Sequence, residues 1–192
     1  NPCRLRSASS SLAEGTITFF MNDDLNKGIE LHRKGDLDKA EKIYLDLYNI
    51  NKKDPSLLQL IGTIYLQKKN YLLAEEYFLK SLVLQPDNPA TLNNLGILKK
   101  KMNNIEKSLE YFETNIKKNN FLNSWVNKSN ILIENNQNTE GLKFSKHALK
   151  KYPLDIKLKN NFAIFLFKCG FQKEALNIYR EFDQQNSHFK ES

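Results

Sequence analysis

The chain has 192 residues, of which 40% are hydrophobic and 27% are charged, a balance typical of folded proteins that excludes a disordered one. No apolar run approaches the roughly 18 residues needed to cross a bilayer, so a membrane-spanning protein is excluded. Cys3 and Cys169 show no CxxC spacing, which excludes a disulfide framework and a zinc site and indicates a reducing, cytoplasmic compartment.

The net charge of +7 raises the question of nucleic-acid binding. The basic residues are 25 lysines and four arginines. Phosphate recognition favours the planar fork of arginine. We therefore attribute the excess of lysine to a general compositional bias of the chain and not to a phosphate-binding surface. We therefore expect no nucleic-acid partner.

Residues 1–20 show no repeat pattern and contain a Ser-rich stretch at 7–11. We expect this leader to be disordered or not native, and residues 190–192 to form a short tail. Between them, related residues recur every 33 or 34 positions, which indicates a repeat architecture. Five repeats are predicted, at 21–54, 55–88, 89–121, 122–155 and 156–189.

Two positions of every repeat are small, as is needed where two helices cross closely. Position 8 holds Gly28, Gly62, Gly96, Ser129 and Ala163, and position 20 holds Ala40, Ala74, Ser108, Gly141 and Ala175. Position 24 is aromatic in four repeats, at Tyr44, Phe78, Phe112 and Tyr179, with Ser145 as the exception. We expect the aromatic ring to fill the space that the small residues leave.

Prolines and glycines fall where helical hairpins require them. The prolines between repeats, where one helix ends and the next begins, are Pro55, Pro86, Pro89 and Pro153. Gly35 and Gly170 are predicted in the turn between the two helices of a repeat.

The string Leu58, Ile61, Gly62, Tyr65, Ala74, Phe78, Pro86 has the spacing of a tetratricopeptide repeat, and the chain resembles that family over about residues 21–189. The resemblance implies an all-α fold, a right-handed α-α superhelix (a solenoid) of about five helical hairpins. Each hairpin buries its apolar face against its neighbours. The first helix of each repeat, helix A, then lines a concave groove that binds peptides or other proteins.

The resemblance places positions 2, 5, 6, 9, 12 and 13 of helix A on the concave surface, and position 6 is asparagine in four of the five repeats, at Asn26, Asn94, Asn127 and Asn161. An exposed amide can pair with both the N–H and the C=O of an extended peptide. A similar asparagine ladder lines the repeat superhelix of the O-linked N-acetylglucosamine transferases. The predicted peptide-binding residues are Asn26, Asn93, Asn94, Lys101, Asn123, Asn127, Asn130, Lys157, Asn160, Asn161 and Lys168. The alternative is that asparagine is simply abundant in this chain.

Positive charge is concentrated in the later repeats, since the net charge per repeat runs −1, 0, +3, +2 and +2. This gradient favours a peptide or protein of acidic character. The alternative is a solvated lysine face with no ligand. A carboxylate clamp like that of the chaperone-binding members of the family is absent, because its lysine and asparagine positions are not matched in any window.

The sequence shows no catalytic motif, and we expect no cofactor, no metal and no enzymatic activity. The three histidines, His32, His147 and His188, have no metal-ligand spacing with another His, Cys or carboxylate. The leading hypothesis is a noncatalytic scaffold that holds an extended peptide or partner protein. A second is the N-terminal repeat region of a larger bacterial glycosyltransferase or sulfotransferase, and single-stranded RNA binding is a third, disfavoured because stacking surfaces are missing.

The fifth repeat is rich in aromatic residues and is followed only by a polar stretch. Solenoids usually close with a polar capping element. The cluster, Phe162, Phe165, Phe167, Phe171, Tyr179 and Phe182, is therefore predicted to be covered by more chain, by a partner or by a second copy, with self-association through the C-terminal repeat as one outcome.

Overall fold

The computed structural model describes residues 22–188, and side chains only to residue 181. The predicted leader and the tail 190–192 lie outside this range. The described residues form helices with no strand: α1 at 22–33, α2 Leu37–Ile50, α3 Pro55–Gln67, α4 Tyr71–Leu84, α5 Pro89–Lys101, α6 Ile105–Asn119, α7 Leu122–Glu134, α8 Asn138–Lys151, α9 Ile156–Lys168 and α10 Gln172–His188. The all-α prediction is confirmed.

The helix starts follow the repeat period. Asp36, Asn70 and Asn104 cap α2, α4 and α6, and each side chain accepts a hydrogen bond from the backbone N–H three residues later. Some of the abundant asparagine is thus used for capping. The fourth repeat lacks this device, because Phe121 and Gln137 precede α7 and α8 without a side-chain capping bond.

The turn between the two helices of a hairpin needs a left-handed residue. Gly35 and Gly170 supply it with φ values of 83° and 90°, where glycine is at no steric disadvantage. The corresponding turns of the middle hairpins use non-glycine residues with positive φ, namely Lys69, Asn103 and Asn136. The turn geometry therefore recurs where the glycine does not.

The close helix crossings are filled by aromatic rings. A Cβ atom added at Gly62 would lie 2.6 Å from the ring of Phe78, and one at Gly96 would lie 2.5 Å from the ring of Phe112. Both rings are fully buried. This confirms the expectation that the aromatic residue at position 24 packs where position 8 is small.

The fourth repeat packs its aromatic side chains differently. Ser145 replaces the aromatic residue, and Phe144 beside it stacks on Trp125 instead, with ring centroids 5.0 Å apart. The space at Gly141 is taken by Phe165 of the next helix, whose ring would lie 2.0 Å from an added Cβ atom. Phe165 is fully buried within the described chain, so the prediction that the aromatic cluster needs a cover from elsewhere was wrong for this residue.

The other aromatic residues of that cluster differ in exposure. Phe167 and Phe171 are 61% and 46% exposed, whereas Phe162 and Tyr179 are half-buried. The side chain of Phe182 lies outside the described part of the chain. None of the described helices is long and apolar enough to cross a membrane.

The fold divides into two units, with the boundary between Asn94 and Leu95 inside α5. The core of the first unit contains Ala40, Tyr44, Leu47, Leu57, Ile61 and Ile64. The second unit has its own cluster around Trp125, Val126, Ala148 and Leu158. Each unit therefore presents its own helix A face, which is considered below.

Candidate functional site

The helix A face of the first unit carries three of the predicted residues. Asn26 on α1 is exposed, whereas Asn93 on α5 is 7% exposed. Asn94 is half-buried, and its amide donates a hydrogen bond of 3.1 Å to the hydroxyl of Thr63 on α3. The amide of Asn94 is thus used between two adjacent A helices.

A first cavity of the second unit, of about 400 Å³, lies between α5 and α7. We call it the lysine cavity, and its lining residues are Ile97, Lys100, Lys101, Phe112 and Asn127. Lys100 is paired with Glu134 of α7 at 2.7 Å. Lys101 is exposed at the end of α5, so its ammonium group is the charge that the cavity offers to an anion.

A second cavity, of about 290 Å³, lies between α7 and α9. We call it the amide cavity, and its lining residues are Val126, Asn130, Ile156, Lys157, Asn160 and Asn161. Asn161 donates a hydrogen bond of 2.7 Å to the side-chain oxygen of Asn130. Ile156, at the first turn of α9, is 66% exposed.

The burial of Asn161 corrects the prediction that the asparagine ladder is exposed. Its side chain is only 5% accessible, because it lies between α7 and α9 and is held by Asn130. A buried amide needs such a partner, since an unsatisfied one is costly. Asn161 therefore contributes to packing as well as to the cavity wall.

The two remaining predicted residues lie outside both cavities. Asn123 is exposed near the start of α7. Lys168, at the end of α9, donates hydrogen bonds to the side chain of Asn136 at 2.9 Å and to the backbone oxygen of Ile133 at 3.3 Å. Lys168 thus holds the C-terminal end of α7, where a cation is favourable.

The charge on the A helices differs sharply between the two units. In the first unit, α3 has no charged residue and the described part of α1 has a small acidic excess. In the second unit, the A helices carry one carboxylate, Glu134, and seven lysines, Lys99, Lys100, Lys101, Lys128, Lys157, Lys159 and Lys168. The basic character predicted for the later repeats therefore belongs to the same helices that form the two cavities.

Most of the shifted pKa values lie in the first unit; in the second, the hydrogen bond to Glu110 raises the pKa of Lys107. Burial raises the pKa of Tyr65 to about 12, and its hydrogen bond to Glu41 adds to the shift. Burial disfavours the charged form of Glu41, but hydrogen bonds from Lys68 and Tyr65 outweigh this effect and lower its pKa. Burial lowers the pKa of His32, against a hydrogen bond with Gln67. Tyr65, Glu41 and Lys68 form a hydrogen-bonded group, and no set of three or more His, Cys, Asp or Glu side chains suited to a metal is found among the described residues.

Sequence reasoning missed the apolar lining of the cavities. Ile97 lies at position 9, Val126 at position 5 and Ile156 at position 1 of their repeats. The signal was present, because two of these residues are at positions that the resemblance assigns to the concave face. A site prediction based on polar side chains alone does not include these three apolar residues.

Comparison with known proteins supports the repeat assignment. Residues 55–88 match the family model of the tetratricopeptide repeat. The human cell division cycle protein 16 homolog is 30% identical over 97 residues, which is 45% of this chain and 16% of that protein. The matched region is so small a part of the human protein's length that the likeness does not extend to the whole protein's activity.

Solved structures share the fold at low identity. PilF of Pseudomonas aeruginosa has a TM-score of 0.76 and 14% identity, over 85% of this chain and 75% of that chain. A tetratricopeptide repeat protein from Parabacteroides merdae has a TM-score of 0.67 and 17% identity, over 84% of this chain and 63% of that chain. Residues 55–88 thus form a tetratricopeptide repeat by their match to the family model, and the solved structures show that the chain has the fold of such repeat proteins.

Proposed function

We propose that this protein is a noncatalytic interaction scaffold whose helix A face, in the second unit, binds an extended segment of a partner protein. The observation that carries the proposal is the pair of neighbouring cavities on that face. Six of the eleven predicted residues line them: Lys101, Asn127, Asn130, Lys157, Asn160 and Asn161.

The chemistry of the lining residues suits a peptide better than a small metabolite. Amide side chains can satisfy the N–H and C=O groups of an extended backbone, which has no internal hydrogen bonds. The cavities also follow one another from one pair of A helices to the next, as a chain-like ligand requires. The seven lysines of these A helices favour a partner segment with net negative charge.

Selection from a random library of displayed 12-residue peptides tests the proposal directly. The 192-residue chain is immobilised, and the selected peptides are then measured by fluorescence anisotropy against variants. We expect Lys101→Ala and Asn160→Ala to weaken binding by roughly three- to tenfold each, as for contacts at the edge of an interface. Lys143→Ala on α8 and Asn177→Ala on α10 are the matched controls, since both residues are exposed on second helices of their hairpins.

The result that would contradict the proposal is a set of selected peptides whose binding is equally affected by the groove variants and by the controls. Single-stranded polyuridylate provides a further check as a competitor. Displacement of the peptides by this RNA at physiological salt would favour a nucleic-acid partner instead.

A further inference from the structure

The second helix of each hairpin, helix B, can carry charged residues that meet helix A of the next hairpin. On α2, Asp38 and Glu41 both pair with Lys68, which directly follows α3. On α6, Glu113 pairs with Lys128 of α7 at 2.6 Å. Two of the junctions between hairpins are therefore joined by carboxylates of helix B and lysines of the following hairpin.

These contacts give the register between helix B and the helix A that follows it. Asp38 and Lys68 are positions 18 and 14 of their repeats, and Glu113 and Lys128 are positions 25 and 7. Tyr65, at position 11, is hydrogen-bonded to the glutamate at position 21 of the preceding repeat. A later position in helix B thus meets an earlier position in the next helix A, so the two helices run antiparallel.

The same three positions of α10 carry positive charge in place of these carboxylates. Positions 18 and 25 are Lys173 and Arg180, and position 21 is Leu176. We call these three residues the α10 face. All three are exposed, and Leu176 is 48% accessible. At position 21 of the four earlier repeats the side chains are half-buried, namely Glu41, Glu75, Leu109 and Leu142. The α10 face is therefore a stacking face that no helix covers among the described residues.

Helix geometry fixes the spacing of a helix that packs on the α10 face. Lys173 and Arg180 are seven residues apart, which is about two turns or about 10 Å, and Leu176 lies between them on the same side. In the observed register, positions 7, 11 and 14 of the covering helix meet Arg180, Leu176 and Lys173 in that order. The covering helix thus uses residues i, i+4 and i+7, which share one side of a helix.

We propose that the α10 face binds an acidic amphipathic helix of a partner protein, in which two carboxylates seven residues apart flank an aliphatic residue. The carboxylates pair with Arg180 and Lys173, and the aliphatic side chain covers Leu176. Charge selects this occupant, because a helix with lysines at these positions, which the carboxylates of α2 and α6 accept, is repelled here. The α10 face lies on a helix B, so the inference does not depend on the cavities between the A helices.

The first helix of a second copy does not supply these carboxylates. α1 carries Lys27 at position 7, and Lys34 follows α1 at position 14. End-to-end stacking of two copies in the observed register would place Lys27 near Arg180 and Lys34 near Lys173. Because like charges in such contacts are unfavourable, the face fits a different protein better than a second copy.

Nuclear magnetic resonance titration of the isotope-labelled 192-residue chain with designed helical peptides tests the proposal. Each peptide is an alanine-rich helix of about 18 residues, long enough to be helical alone. The test peptide carries Glu, Leu and Glu at i, i+4 and i+7. One control peptide has the second Glu moved to i+9, on the opposite side of the helix, and another has Lys in place of both Glu residues. We expect the test peptide to shift the amide signals of residues 173–180 and to bind at least roughly fivefold more tightly than either control.

Reversal of the two charges assigns the contact to the α10 face. The double variant Lys173→Glu/Arg180→Glu should weaken binding of the test peptide by roughly tenfold and should bind the Lys peptide more tightly than the parent chain does. The matched control is Lys143→Glu/Lys150→Glu, because these two lysines are also exposed and seven residues apart on α8. The control variant should leave the order of the three peptides unchanged.

The inference is overturned if no peptide binds at millimolar concentration, if the three peptides bind equally, or if the shifted signals lie away from α10. It is also overturned if the α8 variant changes binding as much as the α10 variant. Light scattering of the parent chain checks the remaining occupant. A dimer that the α10 variant disperses would show that a second copy covers the face, and would overturn the assignment to a partner protein.

Discussion

Substituting Gly141 by alanine tests the contact that distinguishes the fourth repeat. Gly141 is buried in the first turn of α8, and an added methyl group would lie 2.0 Å from Cε1 and 2.2 Å from Cζ of Phe165. Phe165 belongs to α9 and is fully buried. Its ring therefore cannot move out into solvent to make room for the methyl group.

Two opposing effects set the magnitude. Alanine is favoured over glycine in a helix by about 1 kcal/mol, and by less in the first turn. Overpacking a filled core costs about 1–3 kcal/mol. A separation of 2.0 Å is far inside the 3.5–4.0 Å optimum for two carbon atoms, so the upper part of that range applies. We expect the free energy of unfolding to fall by about 1–2 kcal/mol net.

Urea unfolding followed by tryptophan fluorescence measures this loss. Trp125 is the only tryptophan in the sequence, and it stacks on Phe144 of α8, so it reports on the affected region. A double-mutant cycle with Phe165→Leu isolates the contact. Because leucine lacks the ring atoms that meet the new methyl group, Gly141→Ala should be neutral or stabilising by up to about 1 kcal/mol in that background.

The reasoning is refuted if Gly141→Ala stabilises the parent chain, or if its effect is equal in both backgrounds. Gly62→Ala is the matched control, since its added methyl group meets Phe78 of the same hairpin, 2.6 Å away. Phe165→Leu should leave the effect of Gly62→Ala unchanged.

Three further predictions concern the packing at Gly62, the buried hydrogen bond of Asn161 and the pKa of Tyr65. Gly62→Leu should lower the melting temperature severely, because the larger side chain cannot avoid the buried ring of Phe78; an unchanged melting temperature would contradict the repeat register. Asn161→Ala should cost about 1–3 kcal/mol in urea unfolding, because the bond to Asn130 is lost in a buried place. Spectrophotometric titration should show one tyrosine with a pKa of about 12, and the Tyr65→Phe variant should lack it. Because the pKa of Tyr65 in the folded chain lies above the ordinary value of 10.0, its contribution to the free energy of unfolding should fall as the pH rises from 10 toward 12.

The repeat fold could be predicted because its constraints are local. A close crossing admits only small residues, so Gly62 and Ala74 record the geometry of one hairpin in the sequence itself. The capping residues, Asp36, Asn70 and Asn104, record the helix starts in the same way. Such residues recur once per helical hairpin, every 33 or 34 positions, so the repeat can be recognised from the sequence alone.

The replacement in the fourth repeat could not be predicted, because it depends on a contact between hairpins. Ser145 removes the ring expected at position 24, and nothing in the fourth hairpin itself indicates that Phe165 of the next hairpin packs against Gly141. The same holds for the cavities. Ile97 and Asn127 come together only because α5 and α7 pack side by side, and the volume left between them depends on side-chain packing that a residue pattern does not encode.

The asparagine ladder shows how one residue type at one repeat position takes two roles. At position 6, Asn94 and Asn161 each donate to a polar side chain at position 9 of the preceding repeat, Thr63 and Asn130, and both acceptors are 31 residues earlier. At Asn127 the corresponding upstream residue is Ile97, whose side chain carries no acceptor, and both residues line the lysine cavity. A position 6 asparagine thus donates to position 9 of the preceding repeat in the two places where that residue is Thr63 or Asn130. Because the amide of Asn161 already donates to Asn130, Lys101 and Asn160 are the residues whose substitution tests the proposed function, whereas substitution of Asn161 tests the packing.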